Sequence, residues 1–290
     1  MTLRLPALAL ALGLLAACGS TPERPDTAVV ALPVANDNLN AVAWSQTAVE
    51  HDLLYLETYR GAQAQLLAAL ADPARDALAA GDRRTPADSL PPAVVLDIDE
   101  TVLDNSPYAA RLVRESREYD EASWQAWCRE ESARALPGAV AFTQFAVRHG
   151  VAVIYISNRA SVLDEATLAN LRKAGLPVGG PQAFLGLDTP TPGCTQAAKS
   201  GKSCRRQLVA SRYRVLMQVG DQLGDFVDPA VNTPAGHRAA VAPYLDWIGS
   251  RWFVLPNPTY GAWEPALFGN DWRAPAAARR QAKLDALRID

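Results

Sequence analysis

The chain is short of histidine, short of cysteine and without any surplus of positive charge. Its 290 residues contain 3 histidines, His51, His149 and His237, with no pair at metal-binding spacing. That absence argues against a zinc site built on imidazole. Lysine and arginine total 28 against 31 aspartates and glutamates, a formal net charge of −3. No global positive field exists to draw in a nucleic-acid polymer. Long apolar runs are also missing: Leu5 to Ala17 falls short of the roughly 20 residues that span a bilayer. No internal repeat is visible. What is present, 49% hydrophobic and 20% charged residues, suits one or two globular domains with ample material for a core.

The short apolar run has its own reading. MTLRLPALALALGLLAAC places Arg4 before it and Leu15-Ala16-Ala17-Cys18 after it, the pattern of a secretion signal. A cysteine directly after Leu-Ala-Ala resembles the bacterial lipoprotein cleavage box. The resemblance implies a signal peptide over 1–17, a mature chain starting at a lipidated Cys18, and anchoring in the outer membrane, since Gly19 follows rather than Asp. A plain signal peptide with an incidental cysteine is the alternative. Residues 18–38 are rich in Pro, Thr, Asp and Asn and read as a tether. Export places the protein where disulfides form. Cys128, Cys194 and Cys204 cannot all pair within one chain. Cys194 and Cys204 flank a polar segment and either close a loop or stay free.

Apolar spacing predicts one long helix over 39–70, with Val42, Val49, Leu53, Leu56, Leu66 and Leu67 at threes and fours, Asn40 as its cap and Asp72-Pro73 as its stop. A fully buried strand follows at 93–96. Helices over 107–127 carry Trp124 and Trp127 on a polar surface. Pro137-Gly138 opens a helix to Val147, and 151–156 is a second buried strand. Ser161 is placed to cap a helix closing at Gly175. Further strands are expected at 183–185, 214–219 and 252–255, a basic helix at 202–212 and an amphipathic helix at 274–289. Strands alternating with helices predict an α/β fold with a mostly parallel sheet. Ligands of such sheets lie beyond the carboxyl ends of the strands. Three strands end there in polar groups: Asp97/Asp99, Ser157/Asn158 and Asp221/Asp225.

Asp97, Asp99, Asp221 and Asp225 would crowd one edge, and like charges held together are costly unless compensated. A divalent cation compensates them. Oxygen donors without cysteine or histidine favour Mg²⁺. A carboxylate such as Asp97 can also act as a nucleophile, with Mg²⁺ neutralising an incoming phosphate. Asp99, beyond an outward-facing Ile98, is placed to protonate the leaving oxygen and then to activate water, help worth about 10²–10⁴-fold. Ser157 and a lysine would hold the phosphoryl oxygens. Lys202, at the start of its helix, is the first candidate and Lys199 the second. Taken singly, Ser157 suits an ordinary turn and Lys202 a solvated charge. Standing together at element ends in this order, they favour catalysis.

The residues DIDETVLDNSPY (97–108), WQAW and PGAVAF (124–142), ISNR (156–159), KSCRR (202–206), GDQLGDF (220–226) and LPNPTYGAWE (255–264) together resemble the haloacid dehalogenase superfamily. Within it, the closer resemblance is to the class C, lipoprotein-type acid phosphatases of bacteria, and it spans roughly residue 39 to the end. It implies a Rossmann-like doubly wound sheet over 39–290 with a small helical cap at about 106–136. It further implies Asp97 as the phosphorylated nucleophile and Asp99 as acid/base. Mg²⁺ would be held by Asp97, the Asp99 carbonyl and Asp221, with Asp225 in support. Gly224 stands where the family often has an acid. Asn158 and the aromatics Tyr108, Trp124 and Tyr260 are candidate substrate contacts; base stacking is worth about 1–3 kcal/mol. Relatives with similar aromatics take nucleoside 5′-monophosphates, which favours nucleotides over phosphomonoesters at large. The alternatives are that Trp124 and Trp127 only pack the cap, and that the protein is a non-catalytic surface lipoprotein binding phosphate esters or nucleotides. Two near-matches to a phosphate-binding loop fail, at Ala198 and at Gln196, where glycine is required.

Overall fold

The computed structural model describes residues 36–195 and 200–289. The expected leader over 1–17, Cys18 and Lys199 lie outside the described residues, as does most of the expected tether. Among the described residues no helix is long and apolar enough to cross a membrane.

Strand β1 (Pro92–Leu96) is central because PAVVL offers no polar side chain to solvent. Its Val94 stands opposite Val153 of β4 (Ala152–Ile156) on one side and Met217 of β6 (Arg214–Gly220) on the other. β5 (Phe184–Leu185) and β7 (Trp252–Val254) complete a parallel sheet of the described residues in the order β5-β4-β1-β6-β7. The period-2 alternation of strands divides the β1 side chains between two cores. Val94 and Leu96 join Tyr59, Leu66 and Phe142, whereas Ala93 and Val95 join Val209, Phe226 and Trp252. The chain runs from β1 outward to β4 and β5, then returns to β6 and β7 on the other side. The sheet is therefore doubly wound, as expected, and its order reverses between β1 and β6. Ligands of such sheets bind beyond the strand ends at that point.

Most elements fall within a few residues of the sequence reading, and three expectations are corrected. The long first helix is two, α1 (Leu39–Thr47) and α2 (Val49–Ala71), broken at an extended Ala48. Just before the break, the hydroxyls of Ser45 and Thr47 donate to the carbonyls of Ala41 and Ala43, a local bonding that favours bends. Asn38, not Asn40, precedes α1. Ser161 opens a short 3₁₀ turn instead of capping α6 (Asp164–Lys173); its backbone N–H donates to Asp188.

Two short strands, β2 (Leu103–Asp104) and β3 (Arg134–Ala135), pair antiparallel. Between them run α3 (Ser106–Glu115) and α4 (Glu121–Glu130), the latter capped by Asp120 through the Ser123 N–H. α5 (Ala139–Arg148) follows. α7 (Ser203–Ala210) leads into β6, and its first turn is tied by a Cys194–Cys204 disulfide. Cys128 is free and buried.

Candidate active site

The reversal point collects its side chains by local backbone devices. Asp97 continues the β1 ladder by one residue, its N–H donating to the Val219 carbonyl at 3.0 Å. Ile98 is fully buried, not outward-facing as the sequence suggested. Its carbonyl accepts from the N–H groups of Val102 and Leu103 at 2.9 Å, which closes a tight turn. Buried Ile98 anchors that turn, so Asp97 and Asp99 can be sent to different partners. The turn places Glu100 in the left-handed region at φ 53, a conformation costing a side-chain-bearing residue about 1–2 kcal/mol. Compensating bonds hold it: Tyr55 Oη donates to its carbonyl at 2.5 Å, and its carboxylate accepts from Asn105 N–H at 2.7 Å and from Tyr260 Oη.

On the other strand, Gly220 precedes Asp221. A Cβ at Gly220 would lie 2.3 Å from an Asp225 carboxylate oxygen, so only glycine admits that side chain. Asp225 ends a 3₁₀ turn and accepts from the Gln222 N–H at 2.8 Å. Asp221 accepts from Thr101, Gln222 and Asn257, each at 2.9 Å.

Lys202 joins these pieces. It is buried, and Nζ donates to Asp97 at 2.5 Å, Asp225 at 2.7 Å and the Ile156 carbonyl at 2.9 Å. All three ammonium donors are thereby used. Arg206 fixes the helix that carries Lys202. Fully buried, it donates to Asp82 at 2.5 Å, Asp228 at 2.9 Å and the Gly224 carbonyl at 2.6 Å. Asp228 also accepts from the N–H groups of Lys202 and Ser203, at the helix start. Arg205 donates to the Ser157 carbonyl at 2.5 Å and to Asn158 Oδ1 at 2.6 Å, while Asn158 Nδ2 donates to the Ser200 carbonyl at 3.0 Å. The Asn158 carboxamide is thus engaged at both ends in clamping the two loops together.

Asp99 stands apart from this group. Its carboxylate pairs with Arg159 at 2.7 Å and accepts from Asn105 Nδ2 at 2.9 Å and Ser157 Oγ at 3.3 Å. Asp97, Asp221 and Asp225 bring carboxylate oxygens within 4.8 Å of one another and, among the described residues, form the group able to hold a cation. Burial pushes the Asp97 carboxyl well above its ordinary range; Lys202 opposes the shift, and Asp225, Asp221 and Asp99 reinforce it. Burial and Asp225 push Asp221 up to about 6, against its bonds to Asn257, Gln222 and Thr101. Burial works against the charge on Lys202, but Asp225 and Asp97 outweigh it and raise the ammonium pKa. Lys202 thus pairs with Asp97 and Asp225 and leaves Asp221 with neutral donors alone. This oxygen-only, under-compensated set fits a hard divalent cation.

The candidate aromatics form two groups. The Tyr108 ring meets Trp124 edge-on at 5.2 Å, and its hydroxyl bonds Ser123 at 3.0 Å. Trp124 is partly buried against the core, and Trp127 is buried within it instead of lying on a polar surface as expected. Tyr260 is 41% exposed on the loop after β7, with its hydroxyl on Glu100. Sequence reasoning missed roles for Thr101, Arg159 and Asn257, although each lies in a motif quoted for the resemblance. It also missed Glu100, Asn105, Arg205 and Arg206, which lie within the same quoted motifs.

A family model described as HAD superfamily, subfamily IIIB (Acid phosphatase), matches residues 18–263. The chain belongs to this family. It is similar to the class C acid phosphatase from Bacillus anthracis solved with tungstate bound, at 32% identity over 87% of this chain and 97% of that one, with a TM-score of 0.74. Among curated relatives, the stem 28 kDa glycoprotein of Glycine max is 28% identical over 57% of this chain and 58% of its own length. Acid phosphatase 1 of Solanum lycopersicum is 25% identical over 57% of each. The chain spans little more than half the length of these curated relatives. The recognition made from the motifs and the doubly wound α/β fold both hold for this acid phosphatase family.

Replacing Arg206 leaves buried Asp82 and half-buried Asp228 without their cation. Breaking a buried pair on one side costs about 3–5 kcal/mol. Arg206→Met is expected to lose about that much stability in urea unfolding; an unchanged midpoint would show that water replaces the guanidinium.

Proposed function

We propose that the protein is a phosphomonoesterase that works through a phosphorylated Asp97. The observation that carries this reading is Lys202, bridging Asp97 and Asp225 beside Asp221 at the reversal of the sheet. Oxygen of the Asp97 carboxylate attacks phosphorus, and the bond from phosphorus to the ester oxygen breaks. Asp99 gives that oxygen a proton. Water then attacks the phosphoaspartate, Asp99 takes a proton from the water, and phosphate leaves with Asp97 restored. General acid–base help of this kind is worth about 10²–10⁴-fold. Ser157 Oγ holds one phosphoryl oxygen, and Lys202 Nζ holds another by giving up one of its three present acceptors. Mg²⁺ held by Asp97, Asp221 and Asp225, with the Asp99 carbonyl, would neutralise charge between two anions. The tungstate-bound relative supports a site for tetrahedral oxyanions.

Nucleoside 5′-monophosphates are the favoured substrates, through stacking on exposed Tyr260. Trp124 contributes less to that stacking, because its ring is committed to Tyr108 and Arg159. Cys18 is read as the lipid attachment point, holding the enzyme at the outer membrane; the leader motif alone supports this.

With Mg²⁺, the protein should hydrolyse p-nitrophenyl phosphate; EDTA should abolish turnover and Mg²⁺ restore it. Asp97→Asn should cut kcat by about 10³-fold or more, the scale of losing a nucleophile. Binding of phosphate without turnover in the unaltered protein would establish the non-catalytic lipoprotein instead. Tyr260→Ala should lower kcat/KM for a nucleoside 5′-monophosphate about 10-fold, one modest stacking contact, with a smaller change for p-nitrophenyl phosphate. Equal changes would reduce the reading to a broad phosphatase. Cys18→Ser should move the protein from the membrane to the soluble fraction with specific activity intact. Continued membrane fractionation would sink the lipid-anchor reading.

A further inference from the structure

Asp99 has two carboxylate oxygens with unequal surroundings. Oδ1 accepts from Arg159 Nη2 at 2.7 Å, Arg159 Nε at 3.0 Å and Asn105 Nδ2 at 2.9 Å. Three N–H donors saturate that oxygen and leave it no room for a proton. Oδ2 has only longer contacts, with Arg159 Nε and with Ser157 Oγ, each at 3.3 Å. It is therefore the oxygen free to exchange a proton, and it lies beside the hydroxyl read above as a phosphate ligand. The Arg159 N–H donates to that same hydroxyl at 3.1 Å, which leaves the Ser157 proton available to Asp99 or to a phosphoryl oxygen.

We propose that Arg159 is a positioning residue that saturates Asp99 Oδ1 and presents Oδ2 to the leaving oxygen, an inference that rests on the acid–base reading of Asp99. Arg159 is 1% exposed, so its planar fork is fixed by packing. Its guanidinium lies 5.4 Å from the centre of the Trp124 ring, and Thr167 accepts from its Nη1 at 3.3 Å. Asn105, the other donor, is held by Trp127, whose Nε1 donates to Asn105 Oδ1 at 2.7 Å. Both donors to Oδ1 are thus braced by tryptophans of α4. Lysine keeps the charge but lacks the fork.

The test compares leaving groups. A simple alkyl phosphate needs the proton from Asp99, whereas the nitrophenolate of p-nitrophenyl phosphate departs without one. kcat/KM reports the path through leaving-group departure, so it isolates this step. Arg159→Lys should lower kcat/KM for the alkyl ester about 10-fold or more and change that for p-nitrophenyl phosphate by no more than about two-fold. Trp127→Phe removes one N–H and keeps a ring in place; it should give the same split at smaller size. Equal losses on both esters with a lowered Tm, or no loss on either, would overturn the positioning role. Asp99→Asn is measured alongside. If it shows the split and Arg159→Lys does not, only the role of Arg159 fails. If Asp99→Asn shows no split, the acid–base reading fails with it.

Discussion

The ammonium of Lys202, lodged between Asp97 and Asp225, is the contact on which the rest of the site depends. Without it, buried Asp97 and Asp225 and half-buried Asp221 would face one another at the sheet edge with nothing but neutral donors. Burial alone already drives Asp97 toward its protonated form, and Lys202 is the group that opposes this. Much of the neighbouring structure serves to keep that ammonium in place. Arg206 ties its helix to Asp82 and Asp228, Arg205 ties it to the loop after β4, and the Cys194–Cys204 bridge joins its first turn to the preceding segment. Gly220 clears the space into which Asp225 turns.

The second constraint is the turn after β1. Two acids one residue apart would repel if both faced the same partner. Burial of Ile98 and the left-handed Glu100 separate them instead. Asp97 is drawn to the lysine side, with Asp221 and Asp225. Asp99 is drawn to Arg159 and Asn105. Two carboxylates of one motif thereby acquire different surroundings, which is the physical condition for giving them different chemical tasks.

The strands were legible because buried parallel strands read as largely apolar runs, and three of them run into the polar residues gathered at the site. Asp97, Ser157, Asp221 and Asp225 are legible that way, and Lys202 as the start of a helix. Side-chain pairing left a weaker trace. Arg205 and Arg206 sit in a segment that reads only as a basic helix, yet both are buried against Asp82, Asp228 and Asn158, partners distant in sequence or on another element. Arg159 was overlooked for the same reason: its partner is separated by 60 positions. The direction of Ile98 was misread because strand alternation was extended past the end of β1, where the chain already turns. The break at Ala48 escaped because apolar spacing continues across it.

The helices between β2 and β3 are not an independent appendage on this frame. Asn105 is the first residue after β2, and it bonds Asp99 with one end of its carboxamide and Trp127 with the other. Arg159 meets Asp99 with its fork and Trp124 with its face. A shift of α4 would therefore reach the Asp99 carboxylate along two routes, one through a hydrogen bond and one through an aromatic contact. Tyr260, on the opposite loop and bonded to Glu100, reaches the turn after β1 from the other side. Changes at Tyr260 leave the Asp99 partners in place, whereas changes at Trp124 or Trp127 reach them directly.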